Sequence, residues 1–475
     1  MAMYYNDVEV ADLLGVLHDR EEELAVLLRA FQAGAEGQPQ LVILSGHRRV
    51  GKTFLLLHAL ERVSGQRTIF FSSTEQAETV ELARFAQVLK PAFADEPLLG
   101  DVGSLGNWER ALSAVAGVAR RTPVVIVIDE APYLAKSTQG FASIVQTVWD
   151  RLASEADPVH LTLVLTGSAA SVMDQMVGPD GPLRGRTSTH LRLKPFDLPT
   201  VARILQTSAA DAIAAYAACG GWPLHVSAWD PGVPVEINLQ LLAGEPGGLL
   251  LEDADHILRE LPEGPGFGRV LAAVGRGRTQ FNEIATDAGQ RVEYPLEFLT
   301  QSGLVARDTP VGAPRRTRPR YTINDPYLRF WFTVLYNDRA RIEGGLGRAV
   351  LRSRAGEWAR HLGWVFEDQA RAHARRLSAQ GEVDPMTLIG RWWSSGRRPV
   401  EVDVLGLLEG RTIMLGEAKW SAGPFDPRWL HTLEGRLESV PAPIDRPGRW
   451  IWSRADPPAD LPADVKVFGP SDMVA

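Results

Sequence analysis

Cysteine is nearly absent: Cys219 is the one cysteine in 475 residues. That excludes an internal disulfide framework and a thiolate metal site, and it points to a reducing compartment. The simple reading of Cys219 is a small buried hydrophobe. Lysine is scarce too, with six residues (52, 90, 136, 194, 419 and 466) among the 50 Lys plus Arg. Two of the six, Lys52 and Lys419, fall inside the motifs described below, where a compact ammonium does what a planar guanidinium cannot. No apolar run approaches the length of a bilayer-spanning helix, and "MAMYYNDVEVADLL" has acids but no basic segment leading into an apolar one. The expectation is a cytoplasmic protein with no membrane partner. Low-complexity tracts and fixed-period repeats are also missing, which excludes a solenoid. At this length, 45% hydrophobic and 23% charged content predicts two to four folded domains. The net charge of −8 gives no chain-wide attraction to nucleic acid, so local patches must decide.

"QLVILSGHRRVGKTFLLLHAL" reads as a buried strand, a Gly-bounded loop and a helix, with Gly46, Gly51, Lys52 and Thr53 in the P-loop spacing. The glycines let backbone N–H groups wrap phosphates, the helix N-terminus adds its dipole, Lys52 reaches the terminal phosphates and Thr53 can ligate magnesium. The nucleotide-binding set therefore comprises Gly46, Arg48, Arg49, Val50, Gly51, Lys52, Thr53 and Phe54, with ATP and Mg²⁺ as cofactors. A second element, "TPVVIVIDEAPYL", is a continuous apolar run of the kind buried parallel strands show, ending in Asp129 and Glu130. Acids at a strand's carboxyl end sit where ligands bind in open α/β sheets. Asp129 would hold the magnesium, directly or through water, and Glu130 would position or activate the hydrolytic water. A further strand, "HLTLVLTGSAASVM", ends in Thr166 and Ser168, placed either to sense the γ-phosphate or to form a turn.

With these motifs, "LHDREEELAVLLRAF", "GPLRGR", "LKPFDL" and "CGGWPLHV" resemble the archaeal-type ATPases, relatives of the AAA+ and STAND groups, from about residue 18 to 228. The resemblance implies an adenine-side role for the segment around Arg20 and Glu21. It also implies a helical lid opening at Gly220–Pro223. Arg184 and Arg186 become candidates for stabilising transition-state charge, in cis or from a neighbouring subunit of a homo-oligomer.

Residues 255–325 read as three helices followed by a wing, an order resembling a winged helix-turn-helix. The wing carries Arg307, Arg315, Arg316, Arg318 and Arg320, a patch able to track phosphates without reading sequence. The third helix, "VEYPLEFLT", is acidic and unsuited to base edges. "NDPYLRFWFTVLYNDRARIEGG" is an aromatic block expected to be buried between domains.

In "PVEVDVLGLLEGRTIMLGEAKW", two strands joined by "EGR" should pair antiparallel. Alternation places Asp403 with Glu401 and Leu405 on one face, and Glu417 with Lys419 on one face. Asp403 and Glu417 offer oxygen ligands for Mg²⁺ or Mn²⁺, and Lys419 can orient a water against a phosphodiester. The pattern resembles the D-x(n)-E-x-K motif of restriction-endonuclease-like folds. "IGRWW" and "GEAKW" resemble the C-terminal domain of unknown function that accompanies this ATPase family. That resemblance implies Glu367 as an additional metal carboxylate.

The expected architecture is α/β, with a P-loop NTPase parallel sheet (1–195), a helical lid (196–250), a winged-helix domain with the aromatic connector (251–343) and a restriction-endonuclease-like α/β domain (344–475). The expected function is ATP binding and hydrolysis coupled to a metal-dependent nuclease-like domain acting on nucleic acid. The alternative is an ATP-dependent regulatory switch that binds DNA or protein without cleavage.

Overall fold

The computed structural model describes residues 4–5, 8–9, 16–96, 99, 105–168, 170–259, 261, 266–314, 317–394, 399–421, 423–458, 460–462 and 464–475. Arg315 and Arg316 of the expected wing lie outside the described residues. The chain divides into two compact units, Met1–Pro195 and Phe196–Ala475. Among the described residues, no helix is long and apolar enough to cross a membrane.

The first unit is built on five parallel strands: β1 (Gln40–Ser45), β2 (Arg67–Ser72), β3 (Val124–Asp129), β4 (Leu161–Gly167) and β5 (Thr189–Arg192). Their spatial order is β2-β3-β4-β1-β5. Every residue of β3 and β4 is buried, as expected when helices cover both faces of a parallel sheet. Successive side chains supply the two cores. Val42, Leu44, Val125, Val127 and Val164 pack under the helices Glu21–Ala35 and Lys52–Glu61. Leu41, Ile43, Ile126, Ile128 and Leu163 meet Phe71, Phe85, Trp108 and Phe141 on the other face. The order switches direction at β1 and β4, whose carboxyl ends therefore open the crevice in which such sheets bind ligands.

The second unit begins with helices, among them Leu198–Leu205, Ala209–Cys219, Pro223–Ala228 and Val235–Ala243. Three more follow, Phe267–Gly275, Phe281–Ala288 and Glu293–Gln301, and then an antiparallel pair, β6 (Val305–Asp308) and β7 (Arg320–Ile323). The aromatic block is buried: Tyr327 Oη donates to the Leu250 carbonyl at 3.1 Å and Trp331 Nε1 to the Leu251 carbonyl at 2.9 Å. Cys219 is buried in the same core.

A 25-residue helix, Ala355–Ala379, then lies on a mixed sheet of β8 (Leu388–Trp393), β9 (Glu401–Leu408), β10 (Arg411–Lys419), β11 (Pro443–Ser453) and β12 (Val465–Phe468) in sequential order. The first three strands pair antiparallel and the last three parallel. Phe366, Ala370 and Ala374 of the long helix pack on Val404, Met414 and Trp452. The helix Arg428–Arg436 places Leu433 on Leu405 and Leu415 of the other face. Leu198 and Ile213 share a core with Trp450 and Met473, so the first helices of this unit and its sheet are packed together.

Candidate functional site

The loop between β1 and the helix Lys52–Glu61 turns on residues that few side chains could replace. Gly46 sits at φ +153°, and a Cβ there would stand 2.7 Å from the Leu193 carbonyl. Gly51 holds φ +96° immediately before the helix. Lys52, 5% exposed, donates from Nζ to the carbonyls of Gly46 at 2.8 Å and His47 at 3.0 Å, so its ammonium lies along the concave side of the loop. Burial, Arg192 and Lys52 together hold His47 neutral, down at about 4. Arg20 braces the loop, donating to Lys194 O at 2.6 Å and Val50 O at 3.5 Å. Its contact is therefore with the loop's support.

Thr53 and the end of β3 meet directly: Thr53 Oγ1 donates to Asp129 Oδ2 at 3.0 Å. Asp129 is 3% exposed, and burial, with the charge of Glu130 second, pushes its carboxyl up to about 6. A hydroxyl and a buried carboxylate of raised proton affinity form the donor set that a hard divalent cation would complete and relieve. The residues therefore fit magnesium. Glu130 adopts φ +53°, rare for a residue with a side chain. Its Oε2 accepts from the backbone N of Ser168 at 3.1 Å and from Ser168 Oγ at 3.0 Å. Thr166, at the end of β4 beside Leu44 of β1, is fully buried, and among the described residues its Oγ1 has no hydrogen-bond partner. Lys52, Thr53, Asp129, Glu130, Thr166 and Ser168 thus gather on the carboxyl ends of β1, β3 and β4.

A family model described as an ATPase domain predominantly from Archaea matches residues 17–228. Residues 17–228 of this chain are thus similar to an archaeal-type ATPase domain. A second model, described as archaeal and bacterial proteins of unknown function, matches residues 331–431. An uncharacterized protein of Methanocaldococcus jannaschii is 24% identical over 418 residues, covering 85% of this chain and 87% of that one. Among solved structures, a Walker-type ATPase of Pyrococcus abyssi is 19% identical, covers 66% of this chain and 96% of its own, and has a TM-score of 0.49. The ORC2 protein of Aeropyrum pernix is 14% identical, with 72% and 96% covered and a TM-score of 0.41.

Arg186 is engaged by another element. Its guanidinium binds Asp150 of the helix Phe141–Ala153 through Nε at 2.6 Å and Nη2 at 2.8 Å. Arg184 donates to the Pro179 carbonyl at 2.6 Å. Both arginines are used locally to close the loop before β5.

In the C-terminal sheet, Leu408 and Arg411 close a tight turn in which Glu409 and Gly410 both have positive φ, the two-residue hairpin geometry. The register Val404↔Gly416 sets Asp403 beside Glu417. Asp403 Oδ2 accepts from the Ala418 backbone N at 3.0 Å, and Arg371 of the long helix donates to the Asp403 carbonyl at 2.9 Å. Lys419 Nζ stands 2.5 Å from Glu417 Oε1 and 3.9 Å from Asp403 Oδ2. Arg436, at the end of the helix Arg428–Arg436, holds Glu417 from the other side.

Simple alternation fails at Asp403. The ladder to β8 passes from Gly390↔Leu405 to Trp392↔Val402, so Asp403 and Val404 together oppose Arg391. This bulge sends Val402 and Leu405 to one core and Val404 to the other. Glu401 binds Arg320 at 3.1 Å and also pairs with Arg391, which separates it from Asp403.

Burial and the neighbouring Asp403 push Glu367 up to about 8. Burial and Glu417 raise Asp403. Burial pulls Lys419 down, but the carboxylates of Asp403 and Glu417 outweigh it and leave it above its ordinary value. Among the described residues no three His, Cys, Asp or Glu side chains are gathered as a metal site. With Glu417 committed to Lys419 and Arg436, Asp403, Glu417 and Glu367 as arranged do not fit Mg²⁺ or Mn²⁺. Arg436 was invisible in the sequence because its helix follows the strand through a loop whose length sets no register.

Arg320 of the expected wing is likewise engaged, stacking 4.4 Å from the Trp393 ring centroid as well as pairing with Glu401. Val311 N donates to Arg391 O at 2.9 Å, which seats the β6–β7 connection on β8. Arg307 and Arg318 are exposed.

Proposed function

We propose that the chain hydrolyses ATP and uses the nucleotide state to control its C-terminal domain. The observation that carries this is the direct Thr53–Asp129 contact at 3.0 Å, with Glu130 next in sequence and Lys52 on the phosphate loop. Magnesium, when bound, supplies charge for the β- and γ-phosphate oxygens. The loop's N–H groups and the dipole of the helix Lys52–Glu61 bind the phosphates, and Lys52 leaves its carbonyl acceptors for them. Thr53 and Asp129 would hold the cation. Glu130 orients the attacking water and takes its proton at the carboxylate, whose Oε2 is held in place by Ser168.

For the C-terminal domain, the reading by resemblance is a nuclease-like module, following a winged helix at about residues 255–325, that acts on nucleic acid through Asp403, Glu417 and Lys419. The pairing of Glu417 with Arg436 favours a second reading, a regulatory switch whose C-terminal domain and exposed wing arginines grip a partner without cutting it. No cleavage step is assigned, because the carboxylates do not fit a metal as arranged. The test is incubation of circular single- and double-stranded DNA and of RNA with Mg²⁺ or Mn²⁺, with and without ATP. Wild type is compared with Asp403→Ala and Lys52→Ala. Cutting that Asp403→Ala abolishes supports the nuclease. ATP turnover without cutting under any condition supports the switch. Absence of ATP turnover refutes the proposal.

A further inference from the structure

Resting on the reading of the loop as an ATP site, we propose that Arg192 is a further phosphate-contacting residue of that site, acting within the same chain. β5 runs parallel to β1 with Arg192 opposite Ser45, and Leu193 N donates to Ser45 O at 2.8 Å. Ser45 is the residue before Gly46, so the Arg192 backbone flanks the point at which β1 becomes the phosphate loop. This is the carboxyl edge of the sheet, next to the strand where its order reverses.

The side chain is uncommitted to the fold. Among the described residues its guanidinium makes no hydrogen bond, and its one ion pair is to Asp174 at 3.7 Å, with both side chains more than 40% exposed. A pair of that length and exposure contributes little. Two other arginines contrast with it: Arg20 is buried against Lys194 O, and Arg186 is bound bidentately by Asp150. Arg192 nonetheless acts on the loop, because its charge, after burial, is the next cause that keeps His47 neutral and precedes Lys52 in that effect. A solvent-facing guanidinium whose backbone flanks the phosphate loop matches the bidentate geometry of a phosphate oxygen pair. On nucleotide binding Arg192 leaves Asp174 for the polyphosphate, supplying within the chain a planar cation to complement the Lys52 ammonium.

The test is equilibrium binding of fluorescent ATP and ADP analogues to the full chain, with melting temperatures recorded alongside. Arg192→Gln is expected to weaken ATP binding at least about tenfold, the effect of losing a charge-assisted hydrogen bond, with an unchanged melting temperature. Arg192→Lys is expected to recover part of the loss, and Asp174→Asn to bind at least as tightly as wild type. Wild-type affinity in Arg192→Gln, while Lys52→Ala loses binding, would overturn the role of Arg192 and leave the ATP site standing. Equal losses in Arg192→Gln and Asp174→Asn with lowered melting temperatures would reduce the pair to a structural one and also overturn it. Undiminished binding in Lys52→Ala would remove the nucleotide reading and this proposal with it.

Discussion

Replacing Asp129 with asparagine should make the nucleotide-free protein more stable at pH 8 while impairing its use of MgATP. Asp129 is 3% exposed, and burial beside Glu130 lifts its carboxyl from 3.8 to about 6. In the folded state the carboxyl keeps its proton up to a higher pH than in the unfolded chain. Between about pH 4 and 6 the folded state therefore binds more protons, and stability falls as the pH rises through that window. Above it the full penalty is present, at most about 3 kcal/mol for a shift of this size. Asparagine removes the charge but loses one acceptor, since Asp129 receives both Thr53 Oγ1 at 3.0 Å and the Glu130 backbone N at 3.1 Å. One lost hydrogen bond costs about 1 kcal/mol. The net gain is then about 1–2 kcal/mol, or about 2–8 °C in the melting temperature of a unit the size of Met1–Pro195. The assay is thermal melting by circular dichroism at pH 8 and pH 4.5, without nucleotide or divalent ions. A gain that shrinks at the lower pH supports the electrostatic account. An asparagine variant less stable than wild type at pH 8, or equally stabilised at both pH values, would refute it.

Further outcomes follow from the same reasoning. Gly221→Ala should cost more than about 2 kcal/mol in urea unfolding, because φ is +72° and the new Cβ would lie 2.0 Å from the Phe196 carbonyl. Gly185→Ala, at φ +73° with open space around it, should cost only about 1 kcal/mol by the same measurement. Asp368→Ala removes the carboxylate shared by Arg329 and Arg371, which are each 9% exposed. It should lower the stability of the C-terminal unit by about 2 kcal/mol, discounted from the buried-pair range because Asp368 itself is partly exposed. Arg436→Ala leaves Glu417, 3% exposed, with Lys419 as its remaining cation among the described residues, and should cost about 1–2 kcal/mol by denaturant unfolding.

The candidate nucleotide site was legible where chemistry and local sequence coincide. The P-loop spacing fixes Gly46 through Thr53 on one strand-loop-helix unit, and an apolar run ending in Asp129 and Glu130 marks a second strand end. That these two ends adjoin, so that Thr53 reaches Asp129, depends on a sheet order to which the motif is blind. Arg192 was missed for the same reason: it is conspicuous only once β5 lies beside β1 with Arg192 opposite Ser45. Arg186 stood out in "GPLRGR" by resemblance, yet the acid that binds it, Asp150, is 36 residues away in sequence and on another element. In the C-terminal sheet the hairpin and the meeting of Asp403, Glu417 and Lys419 followed from a two-residue turn and a two-residue period. The bulge opposite Arg391 did not, because a period of two has no term for an extra residue in one strand. The wing arginines read as a free basic patch in one dimension, and the fold gives Arg320 to Glu401 and Trp393.

The most direct measurement is steady-state phosphate release from ATP in the presence of magnesium, run beside ATP-analogue binding for wild type, Lys52→Ala and Glu130→Gln. The account expects turnover in wild type and loss of both binding and turnover in Lys52→Ala. It expects retained binding with turnover reduced at least about 100-fold in Glu130→Gln, the scale of a lost general base. Turnover in Glu130→Gln close to wild type, or ATP binding undisturbed by Lys52→Ala, would contradict the account.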